Sequence, residues 1–445
     1  MRGPLAKGLH YRVLRALFER VPALSRLAGV ATDSIMKVLI GPQVPVPQAA
    51  NTYTQERLIK LTDELNLKAE QYFSTQSSEE FRDFLLRKPF SDADHFAEHL
   101  FSVGTMVHWL RLRPGDRVLE IGAGSGWLSH LLNQYGCETV TVDVSATVLE
   151  LARHLFGSSS HTNWSLHPEF ATFDGWRLPL PDASVDRIVV YDAFHHIPNQ
   201  AAVLSEMSRV LRPGGITAMS EPGRRHSLAQ ESLDEVELSG VLENDIVVEE
   251  LDVLARRHGF SRTTVVPLSL ASSIEVDSAE LVSFLRGRGF QRFWTRQAQS
   301  LLSEHFILLY KGTPIPDTRR PSLTRAQIQT PTFQTVRQGR PWNINVQLAN
   351  TGDTTWLTGD AARPGTTRLG FHLNDHIGTN QDWDWHRLSI PHEMAPGDKA
   401  TLSGEMPALP EPGVFQVELD MVSERVCWFG ERGSTPTTVT VTVTD

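Results

Sequence analysis

Between positions 117 and 310, short β-branched apolar runs alternate with stretches of helical periodicity, the signature of a sheet assembled from βα units. Residues 117–121, 139–143, 169–172, 187–191 and 216–220 predict its first five strands, and 263–268 and 306–310 complete a seven-stranded sheet. Residues 279–302 predict a helical insertion between the last two strands, placed to help cover a substrate. The pattern then changes to period two. Trp342, Ile344, Val346 and Leu348 alternate with polar residues, as do Phe415, Val417, Leu419 and Met421, then Val439, Val441 and Val443. Turn signals at Thr351-Gly352-Asp353, Pro396-Gly397-Asp398 and Pro412-Gly413 separate these half-buried strands, and no long helix intervenes. An antiparallel β-sandwich of immunoglobulin-like type is expected.

Upstream, Leu5, Leu9, Val13, Leu17 and Val21 recur at helical spacing among arginines. This stripe is read either as a helix packed on its own protein, the favoured reading, or as one docked on an anionic membrane surface. Charges interrupt it, so it lacks the apolar core of a secretory signal, and no run is long enough to span a bilayer. After the turn-rich break at Gly41-Pro42, residues 54–72 and 77–86 predict two further helices, with Ser77 and Glu80 at capping-box spacing. Pro314, Pro316 and Pro321 mark a semi-rigid linker. The expected domains are a helical cap over 1–98, an α/β domain over 99–312 with its insertion at 275–304, a linker over 313–325 and the sandwich over 326–445.

Composition narrows the partners. The 445 residues exceed what one core usually serves, and 42 basic against 52 acidic side chains give a formal charge of −10, which disfavours nucleic acid. Residues 1–50 run the other way, with seven basic side chains against Glu19 and Asp33. Cys137 and Cys427 are the only cysteines, so neither a disulfide framework nor a cysteine-rich zinc site is expected, and a reducing cytoplasm fits, with peripheral contact at the inner face of the membrane if the basic stripe docks there. Oligomeric state is not readable.

The strongest constellation is Glu120-Ile-Gly122-Ala123-Gly124-Ser-Gly126-Trp127, where a buried strand runs into glycines and then into a helix. A dinucleotide site would want its third glycine one residue later, where Trp127 stands. The loop instead resembles the Glu/Asp-x-Gly-x-Gly-x-Gly motif of class I S-adenosylmethionine-dependent methyltransferases, with a type 11-like core. Twenty-one residues after Gly122, Asp143 ends the second strand beside Val144, where a carboxylate can accept both ribose hydroxyls of an adenosyl group. Asp174-Gly175 resembles the family's adenine-contacting position, with Trp176 placed to pack on the base. The segments 178–192, ending at Asp192, and 211–215 resemble the motifs around strands four and five. The resemblance covers about residues 100–312 and implies a Rossmann-like sheet with an antiparallel last strand and S-adenosyl-L-methionine as cofactor.

Methyl transfer from a sulfonium is an in-line displacement, so a hydroxyl acceptor needs a base near the carboxyl ends of strands four and five. His195 and His196 follow strand four, and Glu221 and His226 follow strand five, so either loop can supply it. Asp192, Glu221, His195 and His196 have no tight ligand spacing, and no essential metal is expected. Glu243-Asn244-Asp245 reads as a loop hydrogen-bond network or a substrate contact. Five of the ten tryptophans fall in the sandwich, where Trp342 and Trp428 are assigned to packing and the run Asp382-Trp383-Asp384-Trp385-His386 mixes rings and polar groups as a saccharide groove would. In architecture this domain resembles accessory domains of bacterial glycan-processing enzymes. The expected activity is O-methylation of a hydroxylated small molecule or saccharide. The alternatives are O, N or C methylation of a specialised metabolite, or a non-catalytic glycan- or partner-binding scaffold that retains the cofactor site.

Overall fold

The computed structural model describes residues 54–76, 78–224, 226–266, 277–286 and 304–445. The basic stripe and Ser77 lie outside them, as does most of the expected insertion, of which the helix Ser278–Leu285 is described. Among the described residues, no helix is long and apolar enough to cross a membrane.

The described residues before the sheet form three helices: α1 (Gln55–Thr75), α2 (Glu79–Arg87) and α3 (Phe96–Trp109). Thr54 and Ser78 cap the first two, accepting the amide protons of Arg57 and Phe81. The cap of α2 is therefore made by the serine after the one the sequence singled out.

A seven-stranded sheet follows, built from β1 (Arg117–Ile121), β2 (Glu138–Asp143), β3 (Glu169–Thr172), β4 (Val185–Tyr191), β5 (Leu211–Pro222), β6 (Arg262–Val266) and β7 (Glu304–Tyr310). Its order is β3-β2-β1-β4-β5-β7-β6, parallel from β3 through β5, with β7 antiparallel to both β5 and β6. Order reverses between β1 and β4, which opens a crevice at the carboxyl ends of those strands. The central strands are buried and rich in apolar residues because helices cover both faces. Ile188 and Val190 therefore join one buried cluster with Leu119, Val140 and Phe194, while Val189 joins the other with Val118, Trp127 and Leu308.

The C-terminal part is a sandwich of a three-stranded sheet, β13-β10-β8, and a six-stranded one in which β12-β11-β14-β16-β9 run in order and β15 pairs with β14. Its strands are β8 (Ala326–Gln329), β9 (Phe333–Arg337), β10 (Trp342–Asn350), β11 (Thr367–Asn374), β12 (Asn380–Ser389), β13 (Lys399–Met406), β14 (Gly413–Ser423), β15 (Cys427–Trp428) and β16 (Thr437–Thr444). All pairs are antiparallel except β16 with β9. Period two holds: Trp342, Ile344, Val346 and Leu348 are buried against Leu369, Phe371, Val417 and Leu419. Trp356 fills the same core. Trp428, assigned to that core from sequence, is not part of it, because its strand places the indole on the outer face of β11, over Gly370.

The proline-bearing segment is no free spacer. Asp317, Thr318 and Arg319 are buried, and Arg319 reaches back to the α/β domain, bonding both carboxylate oxygens of Asp186 at 2.6 and 2.9 Å. Asp116 lies 2.9 Å from the same guanidinium and Asp317 2.7 Å. Arg363, from the loop before β11, donates to the Gly115 carbonyl at 3.0 and 3.1 Å and pairs with Glu138. Prolines limit this chain's conformations, but charge fixes its position.

Candidate functional site

The glycine loop turns sharply between β1 and α4 (Trp127–Tyr135), with Gly122, Gly124 and Gly126 at φ of 70°, 53° and 72°. The outer two are demanded by packing as well: a Cβ on Gly122 would lie 2.5 Å from that of Ala193, and one on Gly126 2.8 Å from that of Ala152. Gly124 differs. A Cβ there would meet nothing within 4 Å, so its backbone borders open space at the head of the crevice. Its N–H donates to Asp143 Oδ2 at 2.8 Å, while Ser145 N–H reaches Oδ1 at 3.0 Å. Asp143 thus ties the end of β2 to the loop, and burial pushes its pKa up against those bonds.

Glu120 supports the loop from beneath. Its carboxylate accepts from the Ser129 amide at 2.8 Å and from that residue's hydroxyl, and burial raises its pKa to about 7 despite those bonds. Ala123 is buried and Val144 packs on the core. Trp127, the first residue of α4, is buried against His99 and Tyr191, at 5.3 and 5.6 Å between ring centres. Asp174 accepts the amide protons of Trp176 and Arg177, closing a turn, and Trp176 is half-buried beside it. Gly175, at φ 84°, packs against Thr62 of α1.

Helix α1 contributes what sequence reasoning missed. Glu70 accepts from the hydroxyls of Ser145, at 2.6 Å, and Thr147, at 2.5 Å, and Asn66 donates to the Asp174 carbonyl at 2.9 Å. These contacts strap the helical region over the ends of β2 and β3, and nothing in a surface-like helical stretch announces them.

The expected catalytic groups converge. Glu221, wholly buried in its side chain, accepts the amide protons of Ala193, Phe194 and His195 at 2.9–3.2 Å and the Nδ1 proton of His195 at 2.8 Å. It therefore holds the loop after β4, where Asp192 turns at φ 52° with an exposed side chain. His195 Nε2 lies 3.6 Å from Glu243, which also receives the His226 Nε2 proton at 2.5 Å and lies 3.3 Å from His196. His196 Nδ1 donates to the Leu242 carbonyl at 2.8 Å. Burial opposes charge on His195, but Glu221, Asp192 and Glu243 outweigh it and raise its pKa; burial and the neighbouring His195 lower that of His196. Burial pushes Glu243 up, and the three surrounding histidines bring it below the usual range. The side chains of His195 and Glu243 are 3% and 5% exposed, those of His226 and His196 26% and 39%, so the network opens to solvent through the latter pair. Glu243 was legible only as a polar knot; Asn244 and Asp245 beside it bond the His195 carbonyl and the Ser227 amide. His195, His196 and Glu243 also offer one ligand atom each within 4.8 Å of one another.

Residues 119–219, spanning the glycine loop, Asp143 and the His195 loop, match a family model described as a methyltransferase domain. The chain is 34% identical over 116 residues to the ubiquinone/menaquinone biosynthesis C-methyltransferase UbiE of Coxiella burnetii, covering 25% of this chain and 44% of that protein. It is 37% identical over 112 residues to a "Probable S-adenosylmethionine-dependent methyltransferase" of Mycolicibacterium smegmatis, covering 25% and 39%. Among solved structures, phosphoethanolamine N-methyltransferase 2 of Haemonchus contortus, in complex with S-adenosyl-L-methionine, aligns at a TM-score of 0.33 and 17% identity over 54% of this chain and 61% of that one. The chain spans less than half the length of these curated relatives. The matched segment is therefore similar to the methyltransferase domains of these relatives.

Proposed function

We propose that the chain transfers a methyl group from S-adenosylmethionine to a hydroxyl oxygen of a small molecule or saccharide. The supporting observation is the continuous network Glu221–His195–Glu243–His226, which meets the glycine loop where Ala193 packs on Gly122. The residues suit the cofactor: Gly124 borders open space, and the Asp143 carboxylate keeps acceptor capacity beyond its two amide bonds. When bound, the cofactor supplies a methyl group made electrophilic by its sulfonium.

The chain's own task is to orient the acceptor and take its proton. His226, with its Nε2 proton directed to Glu243, keeps Nδ1 as the basic nitrogen, 3.3 Å from the Ser232 hydroxyl. His195 acts behind it, since Glu221 fixes its tautomer and burial keeps it from the acceptor. His196 is the second half-buried imidazole that reaches solvent. C-methylation is the competing reading, favoured by the name of the Coxiella burnetii relative. The basic residues among 1–50 support peripheral contact of this enzyme with anionic lipid.

Mass spectrometry of an acceptor panel incubated with deuterium-labelled methyl donor tests the reaction and locates the methylated atom. His226→Ala should lower turnover about 100-fold or more with cofactor affinity kept. Unchanged turnover in both His226→Ala and His196→Ala would remove the base, and a label found only on carbon would replace O-methylation by its competitor.

A further inference from the structure

Strand β11 buries Leu369, Phe371 and Leu373 in the sandwich core, so Gly370 and His372 face outward. On an exposed sheet face polar side chains are the rule. Here aromatic rings cover it instead. Trp428 lies directly over Gly370, where a Cβ would come within 2.5 Å of the indole, and packs on His372 at 4.3 Å between ring centres. Trp383 stacks on His372 at 3.9 Å with 26° between the planes, and its edge approaches Trp428 at 5.9 Å.

An irregularity in the β11–β12 pairing makes this arrangement. Phe371 opposes His386 while Leu373 opposes Asp382, so three residues of β12 bulge against His372 alone. His372 donates its Nδ1 proton to the Trp383 carbonyl and fixes the bulge. The result is a rigid backing ring, 1% exposed, beneath an indole that is 55% exposed.

The surroundings hold two paired arginines and an excess of carboxylates. Arg387 lies 4.3 Å over Trp428 and pairs with Asp384, and Glu424 approaches both Arg387 and Arg368. Beneath them Asp420, opposite Gly370 and 3% exposed, has one carboxylate oxygen on the Gly430 amide and the other without a hydrogen-bond partner.

We infer that this outer face is a binding site for a neutral glycan, with a sugar ring stacked on the open face of Trp383. The axial C–H face of a pyranose complements the negative face of an indole, and its equatorial hydroxyls suit an acceptor such as Asp384, held on this face by Arg387. An anionic glycan would meet those carboxylates, and the cations that might offset them are already paired. The inference does not depend on the methyl-transfer reading, because none of these residues touches the crevice network.

The test uses the full chain on an array of immobilised neutral and uronic-acid-containing oligosaccharides, followed by calorimetry with whichever neutral oligosaccharide is retained. Trp383→Ala removes an exposed ring and should weaken that affinity about tenfold or more, while Phe333→Ala, at an exposed position on strand β9, should leave it unchanged. Circular dichroism and the melting temperature report whether each variant is folded. No retention of any neutral glycan, retention of acidic glycans alone, or binding that Trp383→Ala leaves intact would each overturn the proposal.

Discussion

Replacing Arg319 by Met should cost about 3–5 kcal/mol of stability, because it strips the shared cation from three carboxylates that stay buried. The guanidinium bonds Asp186 through two nitrogens at 2.6 and 2.9 Å, lies 2.9 Å from Asp116 and reaches Asp317 at 2.7 Å, and the arginine is only 5% exposed. Arg320 and Arg212 remain beside Asp116 and Asp186, so the loss falls short of three unpaired charges. In the folded chain Asp186 is held well below the usual carboxylate range: burial opposes its charge, and Arg319, then Arg212, overcome that. Its stabilisation is therefore present above the unfolded pKa near 4 and lost as pH falls through the folded value. Urea titration of wild type, Arg319→Met and the double variant with Asp186→Asn at pH 7 measures the effect. The double variant should lose less than the sum of the single losses, and Arg319→Met should expose residues 313–325 to limited proteolysis. A loss below about 1 kcal/mol, with the segment still protected, would refute the idea that charge locks it to the α/β domain.

Glu120→Gln should stabilise the chain at pH 8 and much less at pH 5. A carboxyl whose folded pKa is raised to about 7 binds its proton more tightly folded than unfolded, so wild type alone loses stability as pH rises from about 4.5 to 7, by roughly 3 kcal/mol; parallel pH-stability curves would contradict this. Gly126→Ala should destabilise by about 2–4 kcal/mol, since the new methyl adds a clash with Ala152 to an unfavourable φ of 72°. Gly124→Ala, with open space at the same point, should cost about 1–2 kcal/mol and instead weaken cofactor binding; thermal melts and calorimetry distinguish the pair.

Much of this architecture was legible because periodicity reports burial. Strand β3 falls at the expected residues, and β1, β4 and β7 read as apolar runs because both of their faces are covered. The glycine spacing placed the crevice, and the loops after β4 and β5 placed the histidines. Contacts between distant segments were not legible. Glu70 and Asn66 sit on a polar helix whose partners lie more than seventy residues away, and Arg319 stands among prolines that suggested a spacer. The assignment of Trp428 failed for a related reason: sequence shows that a ring is present but not which face of its element it covers. Glu243 required the folded loop to bring it between His195 and His226.

The central claim is that the crevice bordered by Gly124 and Asp143 holds S-adenosylmethionine, and isothermal titration of that compound and its demethylated product into the full chain and its Asp143→Ala variant tests it most directly. Saturable binding at one site per chain, weakened about tenfold or more in the variant, is the expected result. Absence of binding by folded wild-type protein, or affinity indifferent to Asp143, would contradict it.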